Sequence, residues 1–365
     1  MTATAFGGAG RDFALGVEEE LIVVDPVTLA LSHTGVEVLE RMEVPEGTGS
    51  AHPDTYAALV ELASPVVHSA GEGVASIAAL RARARAAGAT LIGAGIHPDG
   101  AFGDVVHVPE ARYDEIHAQL RGLLRRTPTC ALHVHVGMPD AETAIRVYNG
   151  LREHLPLLQA LAANSPFWHG HDSGLATARA QLFRGYPRGD IPPAFASFAA
   201  FEDLVDQLVA AGDAPDYTFL WWDLRPHPRL GTVELRAMDA QSSLWSVAAL
   251  TALVAGLARA AAEDDRLSWT PRAVLMESSF RAARDGLGAT LLHEGALRPV
   301  PEIARAAVAR ARPFAAELGS EEQLGLVERL LTEGGGADRQ RAAHARGGMP
   351  GLLRHLAAET AHDLA

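Results

Sequence analysis

The sequence predicts an α+β protein in which a mainly antiparallel sheet opens one face as a working cleft and is backed by helices. Three observations lead there. Segments with strand alternation carry carboxylates, imidazoles or guanidinium groups on one face and apolar residues on the other. The intervals between them read as long helices, which alone would suggest parallel β-α-β units, yet no strand has the all-apolar character of one buried on both faces of a parallel sheet. Helices then crowd the C-terminal third.

Taken in order, residues 1–10 are small and polar, without a basic start or an apolar run, and read as a disordered lead-in rather than a signal peptide. The remaining span, 11–365, is long enough for one large domain with an ample core. Strand 14–24 carries Gly16-Val17-Glu18-Glu19-Glu20-Leu21 and stops at the Asp25-Pro26 turn. Alternation puts Glu18 and Glu20 on one face and Glu19 on the other, with Val17 and Leu21. A helix at 34–43 precedes strand 57–64. The helix at 70–88 contains the Arg81, Arg83 and Arg85 alternation, read as a solvated face. Strand 90–96 and a helix at 110–124 lead to strand 130–137, where His133 and His135 share a face and valines take the other. After a helix at 141–163, the span from Asn164 to Phe195 is the longest irregular region. A loop of that length is usually functional or disordered; on it, His169 and His171 are read as solvent-exposed rather than as a metal pair. A helix at 198–211 is followed by a Pro-containing run, Arg225-Pro226-His227-Pro228-Arg229, and then by strand 230–238, where Thr232, Glu234 and Arg236 point the same way. The apolar, Ala-rich helix at 243–264 lies between Ser242-Ser243 and Glu263-Asp264-Asp265. Its apolar core is shorter than a bilayer span of roughly 20 residues, so it reads as a buried helix. Helices at 271–285, 301–317, 320–333, 337–346 and 350–362 complete the chain, with Gly334-Gly335-Gly336 as a hinge.

The side chains on those strand faces define a chemistry. Adjacent carboxylates repel one another unless a cation neutralises them or water screens them. Three strands built this way are more simply explained by a shared metal than by solvation. Oxygen ligands predominate, one or two imidazoles join them, and Cys130 is the only thiol, a set that favours Mg²⁺ or Mn²⁺ over structural zinc. The chain contains no lysine, so all 31 of its basic side chains counted as Lys or Arg are arginine. That removes Schiff-base chemistry and a Walker-type phosphate loop, and weakens a barrel-hydrolase reading. A formal net charge of −14 with no basic stripe argues against nucleic acid and anionic membrane as partners. A single cysteine fits a reducing, cytoplasmic compartment.

With those residues in view, the chain resembles the carboxylate–amine ligases of the bacterial glutamate–cysteine ligase type 2 family, within the glutamine synthetase-like superfamily. The likeness rests on six motifs in register: Gly-Val-Glu-Glu-Glu; Glu61-Leu62-Ala63-Ser64-Pro65; His133-Val134-His135-Val136-Gly137; Asn164-Ser165-Pro166-Phe167-Trp168; Arg225-Pro226-His227-Pro228-Arg229; and Thr232-Val233-Glu234-Leu235-Arg236. The resemblance implies a curved antiparallel sheet, ATP and a divalent metal as cofactors, small amino-acid substrates and a homodimer. It implies Glu18, Glu20, Glu61, His133 and Glu234 as metal ligands, with His135 near the nucleotide phosphates. Arg236 would face the transferring phosphoryl group, while Arg225 and Arg229 would bind phosphate or the donor carboxylate. Asp54 would stand near the amine-acceptor site and is the candidate base. The segment from Asn164 to Phe195 would cover the substrate.

The activity so implied joins L-glutamate to L-cysteine at the expense of ATP, through an acyl phosphate. Three rivals stand beside it: the same chemistry with another acid or amine, a metal-dependent amide hydrolase that turns over without nucleotide, and a non-catalytic binding protein that keeps the fold.

Overall fold

Strand β1 (Leu15–Val24) organises the molecule, because three other strands pair with it. The computed structural model describes residues 6–7, 12–266 and 269–362. Along the chain, β1 is followed by α1 (Gly35–Arg41), β2 (Ser50–Pro53), β3 (Leu59–Ala63), α2 (Ala70–Ala86), β4 (Thr90–Ile92), α3 (Ala111–Leu120), β5 (Ala131–Gly137) and α4 (Ala141–Leu161). Then come β6 (Phe167–Trp168), β7 (His171–Asp172), α5 (Ala178–Phe183), α6 (Phe198–Ala211), β8 (Leu224–His227), β9 (Thr232–Asp239) and α7 (Leu244–Ala262). The last elements are α8 (Arg272–Asp285), β10 (Thr290–His293), β11 (Ala296–Pro299), α9 (Val300–Glu317), α10 (Glu321–Glu333) and α11 (Gly336–Ala361).

The main sheet runs β2-β3-β1-β5-β9-β8, with β4 also paired to β1, and its strand pairs are antiparallel. The α+β expectation is met, and the helical intervals do not create parallel units. Short strand β2, which the sequence reading did not assign, and strand β8, read there as a Pro-containing run, form the two edges. Pro226 is tolerated in β8 because an edge strand has one side free of ladder bonds. The two-stranded β10–β11 hairpin is a further element the periodicity did not announce.

One face of the sheet is apolar. Val17, Leu21, Val60, Leu62, Leu132, Val134, Val233 and Leu235 are buried there in one cluster with residues of α2, α4, α7 and α9. Helix α7 is long and apolar enough to cross a membrane, but it is mostly buried inside the fold, as the charged residues flanking it suggested. Its packing is close: a Cβ on Gly256 would stand 2.8 Å from the Ala311 Cβ of α9. The opposite face has a second apolar cluster only at one end, where Ile22, Leu59 and Ile92 meet Ile116 and Leu120 of α3 and the segment around Phe219 and Trp221. The rest of that face is the cleft.

Two expectations need correction. Arg81 is not on a solvated face. It is 1% exposed, and its Nε and Nη2 donate to both oxygens of Glu19 at 2.9 and 2.7 Å. A carboxylate on the core face of β1 requires such a partner, since an unpaired charge there is costly. Arg83, by contrast, is exposed. The Gly334-Gly335-Gly336 hinge is also not borne out. A Cβ on Gly336 would collide with Asn164 Oδ1 at 2.2 Å, and the Ala337 amide donates to Ala163 O, so this turn is clamped. Most of the 1–10 lead-in lies outside the described residues. Phe6 and Gly7 are described and rest on the fold, Gly7 N donating to Pro228 O at 2.9 Å.

Candidate active site

Antiparallel register turns the strand motifs into rows of chemistry across the open face. Glu20 of β1 stands opposite Glu61 of β3, and Glu61 opposite His52 of β2. Glu18 stands opposite His133 of β5. His135 stands opposite Glu234 of β9, and Glu234 opposite Arg225 of β8. A bulge between β5 and β9 then matters. Pairing jumps from Val134↔Leu235 to Leu132↔Met238, so Arg236 and Ala237 together face His133. Bulges re-aim side chains beside functional sites, and this one sets Arg236 near His133 and the Glu20 carboxylate.

Two acidic groups result. Glu18, His133 and Glu234 form one, and Glu20, Asp54 and Glu61 the other; within each, one potential ligand atom per residue lies within 4.8 Å of the others. His133 connects them, with Nδ1 3.5 Å from Glu18 and Nε2 3.8 Å from Glu20. His135 Nδ1 is tied to Thr232 Oγ1 at 3.0 Å, leaving Nε2 3.4 Å from Glu18. The Nε2 atoms of both histidines are buried without a hydrogen-bond partner. Orphaned ring nitrogens beside crowded carboxylates are what a divalent cation would satisfy, and the donor set fits Mg²⁺ or Mn²⁺.

The titration of these groups follows from their neighbours. Burial opposes ionisation of Glu18, but His135 and His133 hold its carboxyl well below the usual range. Burial likewise opposes ionisation of Glu234, and Arg225 and Arg236 overcome it. The second group moves the other way. Burial and the Asp54 charge push Glu20 up to about 8. Burial, then Glu18, Glu20 and Asp54, raises Glu61 well above its ordinary value, and burial raises Asp54. Burial and Arg236 bring His133 down to about 4, whereas Glu18 outweighs burial at His135 and raises it. The carboxyls of the second group are thus harder to ionise than isolated ones, an effect that a bound cation would reverse.

The arginines divide. Arg225 is buried, and its guanidinium is committed to protein: Nε and Nη2 contact Glu234 Oε2 at 2.8 and 2.7 Å, and Nη1 donates to Thr218 O and Leu220 O. It therefore holds Glu234 in place. Arg236 Nη1 donates to Glu234 Oε1, while its Nε is buried without a partner. Arg229 is exposed in the β8–β9 turn and does not line the cleft. This corrects the pairing of Arg229 with Arg225 on a ligand: the turn carries it off the sheet face. His171 is exposed as expected, whereas His169, expected to be exposed, is half-buried, with Nδ1 2.8 Å from Gly100 O.

The model of glutamate–cysteine ligase family 2 matches residues 14–359. The chain belongs to this family. It is therefore an ATP-dependent ligase. Among relatives, "Putative glutamate–cysteine ligase 2-1" of Rubrobacter xylanophilus is 40% identical over 345 residues, covering 92% of this chain and 91% of the relative. "Putative glutamate–cysteine ligase 2-3" of the same organism is 41% identical over 365 residues, covering 97% and 99%. Among solved structures, the glutamate–cysteine ligase of Francisella tularensis in complex with AMP superposes with a TM-score of 0.70 at 12% identity, covering 97% of this chain and 90% of that one. This last likeness concerns the fold.

The glutamate–cysteine ligase family motifs did not point to the deep end of the cleft. There, beyond Glu20, Asp54 and Arg236, Tyr56, Phe183, Tyr186 and Trp221 wall a chamber that also receives Arg179. Tyr186 and Trp221 carry no motif grammar in the sequence. Arg179 lies on α5, inside the 164–195 span that the sequence left without regular structure and whose length was the signal that it does something.

Proposed function

We propose that this protein condenses the γ-carboxylate of L-glutamate with the amine of L-cysteine while ATP is converted to ADP and phosphate. The observation that carries the reading is the pair of acidic groups joined by His133 on one sheet face, with Arg236 between them. Glu18, His133 and Glu234 would hold one divalent cation, and Glu20 and Glu61 a second, with Asp54 beside it. Such ions supply charge neutralisation for the phosphate oxygens.

The chemistry then asks two things of the side chains. A carboxylate is a poor acyl donor, so its oxygen first attacks the γ-phosphorus of ATP, ADP leaves, and an acyl phosphate forms. Arg236, with an unpartnered Nε and a fork geometry, faces the transferring phosphoryl group, and Arg225 keeps Glu234 and through it Arg236 in place. The amine nitrogen next attacks the acyl carbon, phosphate leaves, and the nitrogen gives up a proton. Asp54, left free of the cations in this reading, takes that proton. No covalent enzyme nucleophile is required, because positioning and charge neutralisation do most of the work.

The test is ADP release with Mg²⁺, ATP and L-glutamate, with and without a panel of amines headed by L-cysteine, and mass spectrometry of the products. Amine-dependent ADP release with a γ-glutamylcysteine mass supports the reading. A different amide would keep the ligase and replace the acceptor. Amide cleavage without nucleotide would replace the reading by the hydrolase.

A further inference from the structure

We propose that a groove outside the cleft, between the end of α3 and the 101–108 loop, is an effector site for a small molecule that carries an oxyanion, a phosphate or carboxylate group. This goes beyond the ligase reading, because the groove shares no lining residue with the cleft or with its deep chamber.

Helix α3 and the 3-10 turn that follows it, Arg121–Arg125, form a wall common to chamber and groove. Ile116, Leu120 and Leu124 line the chamber, and the residue after each, His117, Arg121 and Arg125, lines the groove. Val105 and His107 line it from the loop. Among the described residues no carboxylate lines this groove, although acidic residues outnumber basic ones in the chain by 45 to 31. Neither arginine makes an ion pair among the described residues. Arg121 Nε reaches only Ala118 O, at a long 3.4 Å, and the Arg125 guanidinium has no hydrogen-bond partner among them. A cation at a helix C-terminus favours the helix dipole, which would account for His117 and Arg121. It does not account for Arg125, on the turn beyond, or for His107, on another segment. Arg121 also has a φ of 48°, in the left-handed region that favours glycine, so its side chain is seated there at a backbone cost. Guanidinium groups with free donors and no opposing carboxylate bind oxyanions by charge-assisted hydrogen bonds.

Occupancy of the groove reaches the chamber through Tyr56. The Tyr56 hydroxyl donates to Leu124 O at 3.0 Å. Its ring centroid lies 5.3 Å from that of His107, which in turn lies 4.6 Å from that of His117. Ala57 N donates to Val106 O at 2.8 Å and Val108 N to Thr55 O at 3.1 Å, tying the loop to the segment that carries Asp54. Burial and then His117 lower His107, so near pH 7 its ring is neutral and the two guanidinium groups supply the charge. A bound anion cancels the repulsion between them and draws the turn against the loop. The chamber wall is then ordered before substrate enters, which lowers the KM of the substrate held there.

The test is calorimetric titration with inorganic phosphate and with succinate at constant ionic strength, the cleft being filled with Mg²⁺, β,γ-methylene-ATP and L-glutamate. Wild type is compared with Arg121→Gly, which suits that backbone conformation, with Arg125→Gln and with the double variant. At least one probe is expected to bind wild type saturably at one site. Each single variant weakens it about tenfold and the double variant about a hundredfold, as loss of one and two charge-assisted contacts requires. All four proteins bind the nucleotide analogue alike, which shows that the variants fold. Phosphate binding alone identifies a phosphoryl ligand, succinate binding alone a carboxylate, and binding of both the oxyanion in general. Saturable binding of neither probe, or binding that survives in the double variant, overturns the site. With the probe that binds, ADP release by wild type is expected to show an apparent amino-acid KM lowered about fivefold with kcat unchanged. The double variant, with the same rate in the absence of probe, shows no such shift. Product inhibition by phosphate acts in the cleft and persists in that variant, so the two are told apart. An unchanged or raised KM overturns the effector role. The titration reads binding whatever amide the enzyme makes, so failure of the ligase reading is distinguishable from failure of the site.

Discussion

Glu234 is the residue on which the cleft's charge balance turns. It is 2% exposed and bound on both sides by arginine, so its carboxylate neutralises two guanidinium groups and, in the proposed function, also serves as a metal ligand. Glu234→Gln is therefore expected to do two things: remove ATP turnover by at least about a hundredfold, and cost about 3 kcal/mol of stability, because a buried pair is broken from one side. Steady-state ADP release and urea unfolding check both; normal turnover would remove Glu234 from the site. Arg236→Lys preserves the charge but not the fork, and turnover is expected to fall by about tenfold or more with the fold retained. Near-wild-type rates would make Arg236 structural. The motif arithmetic of Glu18, Glu20, Glu61, His133 and Glu234 was readable because strand alternation has period two. Arg225 was placed in the cleft but not in its role, since its commitment to Glu234 depends on the β8–β9 register.

Strand β1 is loaded on both faces, and each face is held by a different helix set. Glu18 and Glu20 point into the cleft, while Glu19 is gripped from behind by Arg81 of α2. Arg81 also donates to Gln241 O and Ser242 O at 2.7 Å and to Thr360 O of α11 at 3.4 Å. One side chain thus joins β1, the start of α7 and the C-terminal helix. Arg81→Met is expected to cost about 3–5 kcal/mol by stranding Glu19, and adding Glu19→Leu is expected to recover much of that loss. Chemical denaturation of the single and double variants measures it; a single variant of wild-type stability would contradict the role. The Arg81-Ala82-Arg83-Ala84-Arg85 run looked uniform in sequence because helical periodicity cannot say which arginine meets a partner from another element. Likewise, Gln340 of α11 donates to both Asn164 O and its Oδ1 at 2.8 Å, which ties the C-terminal helix to the start of the 164–195 span.

For the whole molecule, the acidic groups set a pH dependence. Glu20, with a folded pKa of about 8, holds a proton that the unfolded chain has lost above its ordinary 4.5. The folded state then binds more protons, so stability is largest at low pH in this window and falls as pH rises toward 8. Glu61 and Asp54 are raised and act in the same direction, as does His135. His133 and His227, both lowered to about 4, and His154, lowered to about 3, act oppositely, and their contribution is complete only about one pH unit above the ordinary 6.5. Glu18 and Glu234, lowered, have also contributed fully by then. From about pH 7.5 to 8.5 the Tm measured in EDTA should therefore decline, and Mg²⁺ should raise Tm more at the upper end of that window than at the lower. A Tm in EDTA that climbs across this window would contradict the assignment of Glu20, Glu61 and Asp54 to one crowded cluster.

By itself the sequence determined the chemical inventory and its sidedness, because alternation along a strand is a local property. It placed carboxylates and imidazoles on one face, apolar residues on the other, and a buried helix at α7. It also excluded parallel units, since a strand with one polar face cannot be buried on both sides. Only the tertiary structure decided which of those groups meet. The antiparallel register sets Glu20 against Glu61 and Glu234 against Arg225, the bulge brings Arg236 to His133, and the turn carries Arg229 away. The chamber around Arg179 is built from Tyr56, Leu124, Arg179 and Trp221, side chains far apart along the chain, so it exists only once the segments before β3, after α3 and before β8 are packed together with α5.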